Sequence, residues 1–303
     1  MKKIKTVARK PRGRPPLIGK LVVFGVGLIG GSFALALKKR RAVAHVVGVG
    51  RSRANLLAAR RLGIIDEIAT DAGAAVKDAD LVLLAVPLGQ TRAVLAQIAP
   101  HLAAHTVVSD AGSTKRDVIA AARRQLGAMF ARFVPAHPIA GTEKSGAGAA
   151  FAKLFDGHDL IVTPEPETDP RAVGRVTAMW KLAGMRVTAM SAADHDHIFA
   201  LVSHLPHMLA FALVDQIAGR ADAATLFKHT GGGFRDTTRI AASSPEMWRD
   251  VCLANRDALL AALDDYLDEL ERLRGMLEAS DGQGLEQCFT AARAARTRWI
   301  KTK

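Results

Sequence analysis

Leu21-Val22-Val23-Phe24 runs without a break into Gly25-Val26-Gly27-Leu28-Ile29-Gly30, and then into an apolar stretch over 32–37. The order is buried strand, glycine-rich turn, helix start. Gly25 permits the tight turn, Gly27 lets the backbone approach a pyrophosphate with no Cβ in the way, and Gly30 lets the helix pack closely on the strand. Phosphates then meet the positive N-terminus of the helix. A lone match to this pattern is weak, but flanked by the right elements it predicts a dinucleotide site, with Leu28 and Ile29 on its turn. The next apolar run, 44–50, should end in an acid that holds an adenine ribose 2′-hydroxyl, and it ends instead in Arg51-Ser52-Arg53. Two cations around a hydroxyl suit a 2′-phosphate, so the segment predicts NADP as the favoured cofactor, with NAD as the alternative.

The chain has 303 residues, enough for two domains with a sizeable core. No run approaches the roughly 20 consecutive apolar residues that span a bilayer. The basic N-terminus lacks the apolar core of a secretory signal, so the expectation is a cytoplasmic protein with no membrane partner. Cys252 and Cys288 form no CxxC motif and imply neither a disulfide framework nor a zinc knuckle. The formal net charge of +13 has a local contribution from Lys2, Lys3, Lys5, Arg9, Lys10, Arg12 and Arg14. Pro11-Arg12-Gly13-Arg14-Pro15 looks like the core of an AT-hook, which lays Arg-Gly-Arg along a minor groove. A single copy in residues 1–17 reads better as a disordered, solubilising tail than as a nucleic-acid contact. The remaining positive charge suits an anionic cofactor and substrate.

Two architectures follow along the chain. Apolar runs at 81–86, 107–110, 133–137, 159–163 and 185–190 alternate with helical patterns such as 90–99 and 115–126. This predicts an α/β fold, a doubly wound, mostly parallel Rossmann sheet over 18–190. Ligands in such sheets bind beyond the carboxyl ends of the strands, where Val86, Pro87, Asp110, Ser113 and His137 should lie. From about residue 191 strand-like runs vanish, and 198–218, 247–263 and 266–277 carry helical spacing. Residues 191–303 therefore read as an all-helical domain.

Four segments carry chemistry. Asp110-Ala111-Gly112-Ser113-Thr114-Lys115 is a strand end turning into a helix, where Ser113 can cap the helix or reach a nicotinamide or catalytic group. His137, at a strand's carboxyl end before the polar loop Gly141-Thr142-Glu143-Lys144, is placed for proton transfer near neutral pH; a satisfied core histidine is the alternative. Ser203-His204-Leu205-Pro206-His207 sets two histidines at i and i+3, a spacing that metal ligands also use. No third ligand with suitable spacing is apparent, so a polar substrate pocket is preferred and no metal is expected. In Gly231-Gly232-Gly233-Phe234-Arg235-Asp236-Thr237-Thr238-Arg239, the glycines release the backbone and Arg239 is the better candidate for a carboxylate clamp.

In this order, His137–Glu143, Ser203–His207 and Gly231–Arg239 resemble the prephenate and arogenate dehydrogenases of tyrosine biosynthesis, over roughly residues 18 to 290. The resemblance implies a Rossmann domain followed by a helical domain that forms a homodimer, with the active site between the domains. It implies that His137 is the catalytic histidine on the substrate's ring hydroxyl and that Ser113 positions it and the nicotinamide. Arg239 would bind the ring carboxylate, His204 and His207 would line the pocket, and Thr142, Glu143, Arg235, Asp236 and Trp248 would surround the substrate. Many NAD-dependent relatives carry an acid where this chain has Arg51, a departure that bears on the cofactor and not on the family. Two competing readings are a β-hydroxyacid dehydrogenase or pyrroline-carboxylate reductase of the same plan, and a non-enzymatic NADP-binding regulator that uses its basic tail on DNA. The first generally lacks this histidine set, and His137 argues against the second.

Overall fold

The computed structural model describes residues 16–301. The AT-hook-like segment and nearly all of the basic tail lie outside the described residues. The first half runs β1 (Ile18–Phe24), α1 (Leu28–Lys39), β2 (Val43–Val49), α2 (Arg53–Arg61), β3 (Glu67–Ile68), α3 (Ala72–Val76), β4 (Leu81–Leu84), α4 (Leu88–Ile98), β5 (Val107–Asp110), α5 (Arg116–Leu126), β6 (Phe133–Val134), β7 (Ala136–Ile139), β8 (Asp159–Val162), α6 (Pro170–Leu182) and β9 (Arg186–Ala189). The second is helical: α7 (Ala192–Phe199), a π-helical turn (Ala200–His204), α8 (Leu205–Ala218), α9 (Ala223–Lys228), α10 (Gly232–Thr238), α11 (Pro245–Ala254), α12 (Arg256–Glu278) and α13 (Gly282–Ile300).

Six parallel strands form the main sheet in the order β3-β2-β1-β4-β5-β6. Alternation of side chains across each strand builds two cores at once. Leu21, Val23, Leu81 and Leu83 face the layer that holds Phe33 and Trp180, while Val22, Phe24, Val82 and Leu84 face the layer that holds Leu95, Ile119 and Phe130. A strand apolar on both faces belongs in the middle of a parallel sheet covered on both sides.

The run expected as one strand over 133–137 is two. Pro135 has no N–H to give to a ladder, and the chain leaves the main sheet there. β7 pairs antiparallel with β8, which pairs parallel with β9, in a separate three-stranded sheet. His137 therefore stands on a strand outside the parallel sheet. The helical spacing over 247–263 is likewise interrupted, because buried Asn255 ends α11 and begins α12. Continuity through the π turn also makes Ala192–Ala218 a helix long and apolar enough, by length and composition, to cross a bilayer, with a mean hydropathy of 1.6 over its most apolar 18 residues. Its polar side chains instead build the site described below.

The glycine turn shows why it must be glycine. Gly25 sits at φ +89°, and a Cβ there would come within 2.2 Å of the Ala85 carbonyl oxygen. A Cβ on Gly30 would meet the Gly25 carbonyl oxygen at 2.3 Å, so α1 can lie against β1 only without it. Gly25→Ala is expected to lose more than about 1 kcal/mol, because it meets both a positive φ and a backbone wall. A thermal unfolding midpoint equal to that of the wild type would refute this account of the turn.

Candidate active site

Beyond the carboxyl ends of β1, β4 and β5 lies a cavity of about 360 Å³, lined by Gly27, Leu28, Ile29, Val86, Pro87 and Ser113, with His137 at its inner wall. Gly27 is the N-cap of α1 and offers no side chain to the first turn, and an added Cβ there meets nothing within 4 Å. Open space in front of uncapped helix N–H groups is what a pyrophosphate requires, so the residues present fit a dinucleotide.

Around the predicted 2′-phosphate position the structure adds a competitor. Arg51 makes a two-pronged ion pair with Glu246 of α11, at 3.2 and 3.3 Å, from the helical domain. With its amide turned to satisfy its neighbours, Gln90 also accepts from the Arg51 guanidinium, at 2.8 Å from Nη1. Ser52 caps α2 by accepting from the Asn55 N–H. Arg53 is exposed on the first turn of α2, and none of the three residues lines the cavity.

A second cavity, of about 710 Å³, shares His137, Thr142, Glu143, Ser243 and Met247 with the first and adds His207, Arg239, Trp248 and Trp299. His137 thus stands where the two cavities meet. Arg239 and Glu143 face each other across the second cavity at 3.7 Å. The His207 ring lies flat on Trp248, centroids 3.7 Å apart, and its Nδ1–H donates to the Ser203 carbonyl at 2.8 Å. Nε2 of neutral His207 is therefore an acceptor. Burial, with the nearby Arg239 charge, lowers the His207 pKa and keeps the ring neutral.

His204 takes a different place from the one expected. The π turn before Pro206 carries it inward, fully buried, where Nδ1 accepts from the Asn255 amide at 3.1 Å. It lines neither cavity. Burial lowers its pKa to about 4. Arg235 and Asp236 lie exposed on α10, also off both cavity walls, because the short helix turns them to solvent. Ser113 shares a cavity wall with His137, but among the described residues the ring's partner is another histidine.

That partner was not foreseen. His137 Nδ1 lies 2.9 Å from His195 Nε2, and His195 Nδ1 lies 2.8 Å from Asp196 Oδ1. Asp196, buried on α7, also accepts the backbone N–H groups of Lys115 and Arg116 at 2.8 and 2.9 Å. These are the orphan donors at the start of α5, so the helical domain caps a helix of the sheet domain. Burial works to raise the Asp196 pKa, but the His195 hydrogen bond and those two N–H groups outweigh it and hold the carboxyl below its usual range. A second buried pair fixes the strand under His137. Lys115 pairs with Asp110 and donates to the Ala136 carbonyl, while Asp110 accepts from the Ala136 N–H at 3.0 Å. In sequence, Asp194-His195-Asp196-His197 looks like a solvated first helical turn; its only signal is an excess of titratable groups ahead of an apolar helix.

Fold and site define a two-domain, dinucleotide-dependent dehydrogenase. The nucleotide-binding domain of prephenate dehydrogenases matches residues 33–189, and the dimerisation domain of the same family matches 191–291. A cyclohexadienyl dehydrogenase of Zymomonas mobilis is 38% identical over 278 residues, covering 91% of this chain and 94% of that protein. A prephenate dehydrogenase of Bacillus subtilis is 37% identical, over 91% of this chain and 75% of its own length. A crystal structure of prephenate dehydrogenase from A. aeolicus, in complex with hydroxyphenyl propionate and NAD+, superposes with a TM-score of 0.86 at 33% identity, covering 97% of this chain and 99% of that one. The chain belongs to the prephenate dehydrogenase family.

Removing Lys115 would leave Asp110 charged and buried without its partner. Lys115→Met should cost about 3–5 kcal/mol, the range for breaking a buried pair from one side. Urea unfolding measures it, and a loss below about 1 kcal/mol would show the pair to be dispensable.

Proposed function

We propose that this protein is a cytoplasmic prephenate or arogenate dehydrogenase, acting as a homodimer, that oxidatively decarboxylates the ring substrate in tyrosine biosynthesis. The observation that carries this reading is His137 at the junction of a dinucleotide cavity and a second cavity holding Arg239 and His207. The dimerisation-domain match and the exposed Leu260, Leu267, Leu270 and Phe289 on α12 and α13 support a second copy against the helical domain.

When bound between Gly27, Pro87 and Ser113, the cofactor supplies the hydride acceptor. Neutral His137 takes the proton of the ring hydroxyl as its carbon becomes a carbonyl. Loss of the ring carboxylate as CO2 sends its bonding pair into the ring and on to that carbonyl oxygen, and His137 returns the proton to the phenolate. Aromatisation drives the step, so the chain's task is positioning and proton holding. Arg239 presents a fork-shaped cation to a substrate carboxylate, and His207 offers an acceptor beside it. Steady-state rates with both substrates and both cofactors test the assignment; no turnover with either substrate would refute it.

His137→Asn should cut turnover by about 10²–10⁴, the usual span for a general base, with cofactor affinity little changed. Burial, then the neighbouring His195, Lys115 and His204, push the His137 pKa well below 6.5. The active form is the neutral ring, which persists above the folded pKa. The wild-type kcat/KM should therefore stay level as pH falls through 6.5 and decline only below it. A decline centred at or above 6.5 would assign the limb to another group.

Arg239 is 63% exposed on its side chain, so water screens its contribution. Arg239→Ala should raise KM about 10- to 100-fold, near 1.5–3 kcal/mol for one charge-assisted contact, with a smaller change in kcat. Lys at this position should rescue only in part, lacking the fork. An unchanged KM would show that Arg239 does not hold the substrate carboxylate.

For the cofactor, Arg51 and Arg53 support a preference for NADP over NAD. A 2′-phosphate must draw Arg51 from Glu246, which confines the preference to about tenfold at an exposed, screened site. Glu246→Gln should widen it and Arg51→Asp should reverse it. Efficiencies with each cofactor at low and high salt decide the matter, and a clear NAD preference at low salt in the wild type would overturn the reading.

A further inference from the structure

We propose that Asp196 and His195 form a positioning pair that fixes the tautomer of His137, so that its proton-accepting nitrogen always faces the substrate cavity. The inference rests on the dehydrogenase reading for its functional meaning, but its geometric content stands separately. An ionised carboxylate can only accept. Asp196 Oδ1, 2.8 Å from His195 Nδ1, therefore requires a proton on that nitrogen. Neutral His195 then carries a lone pair on Nε2. His137 Nδ1, 2.9 Å away, must supply the proton between the two rings. One nitrogen of His137 remains, Nε2, and it is left with the lone pair.

Every link in this chain is protected. His195 and Asp196 are fully buried, and Asp196 is held in place by the N-terminus of α5 as well as by its neighbour. The Phe199 ring packs on both imidazoles, with centroids 4.9 Å from His137 and 4.5 Å from His195, so neither ring can turn over without disturbing the core. The charged and titratable groups facing His137 are His195 and Asp196 from α7, Asp110 at the end of β5, Lys115 at the start of α5, and His204 from the π turn. His195 is itself held neutral mainly by burial.

The consequence concerns the proton that the reaction borrows. The ring hydroxyl gives its proton to His137 Nε2, the imidazolium keeps its Nδ1–H on His195, and the phenolate recovers the Nε2 proton after CO2 leaves. No proton has to reach Asp196. Without the pair, His137 could rest with its proton on Nε2 and its lone pair on Nδ1, unable to accept anything from the substrate.

The test is 15N NMR of histidine-labelled protein, without cofactor, with His137 assigned by the resonances lost in His137→Asn. Wild type is expected to show a protonated Nδ1 and a lone-pair Nε2 at neutral pH, and Asp196→Asn, which would donate to His195 Nδ1, to show the reverse. In parallel, Asp196→Asn should lose about 10²–10⁴ in kcat with cofactor affinity retained, as expected for a base locked in the wrong tautomer. His195→Gln keeps an acceptor for His137 and should stay within about tenfold of wild type, whereas His195→Leu should fall about 10²-fold or more. If Asp196→Asn does not fold, the two His195 variants and the wild-type spectrum decide. A wild-type His137 protonated on Nε2, or His195→Leu turning over at the wild-type rate, would overturn the proposal. Wild-type protein inactive on both substrates would instead refute the dehydrogenase reading, and the spectrum would still report the tautomer.

Discussion

The Asp196 carboxylate is the point on which the two halves of the molecule depend. α5 begins at Arg116 with Lys115 in the N-cap position, and a lysine cannot accept the orphan N–H groups of a helix start. The acceptor comes from α7, 81 residues further along the chain, and it brings the helical domain with it. The same carboxylate receives the His195 ring and the Arg116 side chain, while the Asp196 carbonyl accepts from Asn255. A single buried anion thus completes a helix, seats a domain and orients a histidine. Such an arrangement is costly to break, because removing any donor leaves part of a buried charge unsatisfied.

Burial around this anion gives the site its electrostatic character. Desolvation is the first cause of the lowered pKa at His137, His195, His204 and His207 alike. Four imidazoles held neutral in one region provide lone pairs and N–H groups without adding charge. In the second cavity the positive charge comes from Arg239, beside Glu143. An anion entering the second cavity would therefore meet a cation near solvent and neutral imidazoles in the interior.

Much of this was legible in the sequence, for identifiable reasons. The glycine turn and the doubly apolar strand of β1 are local signals, and they specified the nucleotide-binding architecture directly. His137, Glu143, His207 and Arg239 were picked out by segment and do converge on one cavity. What escaped depends on contacts between distant segments. Nothing local distinguishes His195 and Asp196 from a solvated helix start, since their partners are His137 and the first turn of α5. Arg51 reads as a cation awaiting a phosphate until Glu246, 195 residues away, is seen beside it. His204 and His207 share a spacing that would put both on one face of a regular helix. The π turn sends one ring into the core and leaves the other on the cavity.

Pro135 has an effect larger than the loss of one ladder hydrogen bond. By ejecting the chain from the parallel sheet, it mounts His137 on a small sheet of its own, joined to the nucleotide-binding strands through the Asp110–Lys115 clamp on Ala136. Arg51, by contrast, stands just beyond β2, on a different support. The two supports are thereby modular: descent could change the residue at Arg51 while His137 stayed where it was.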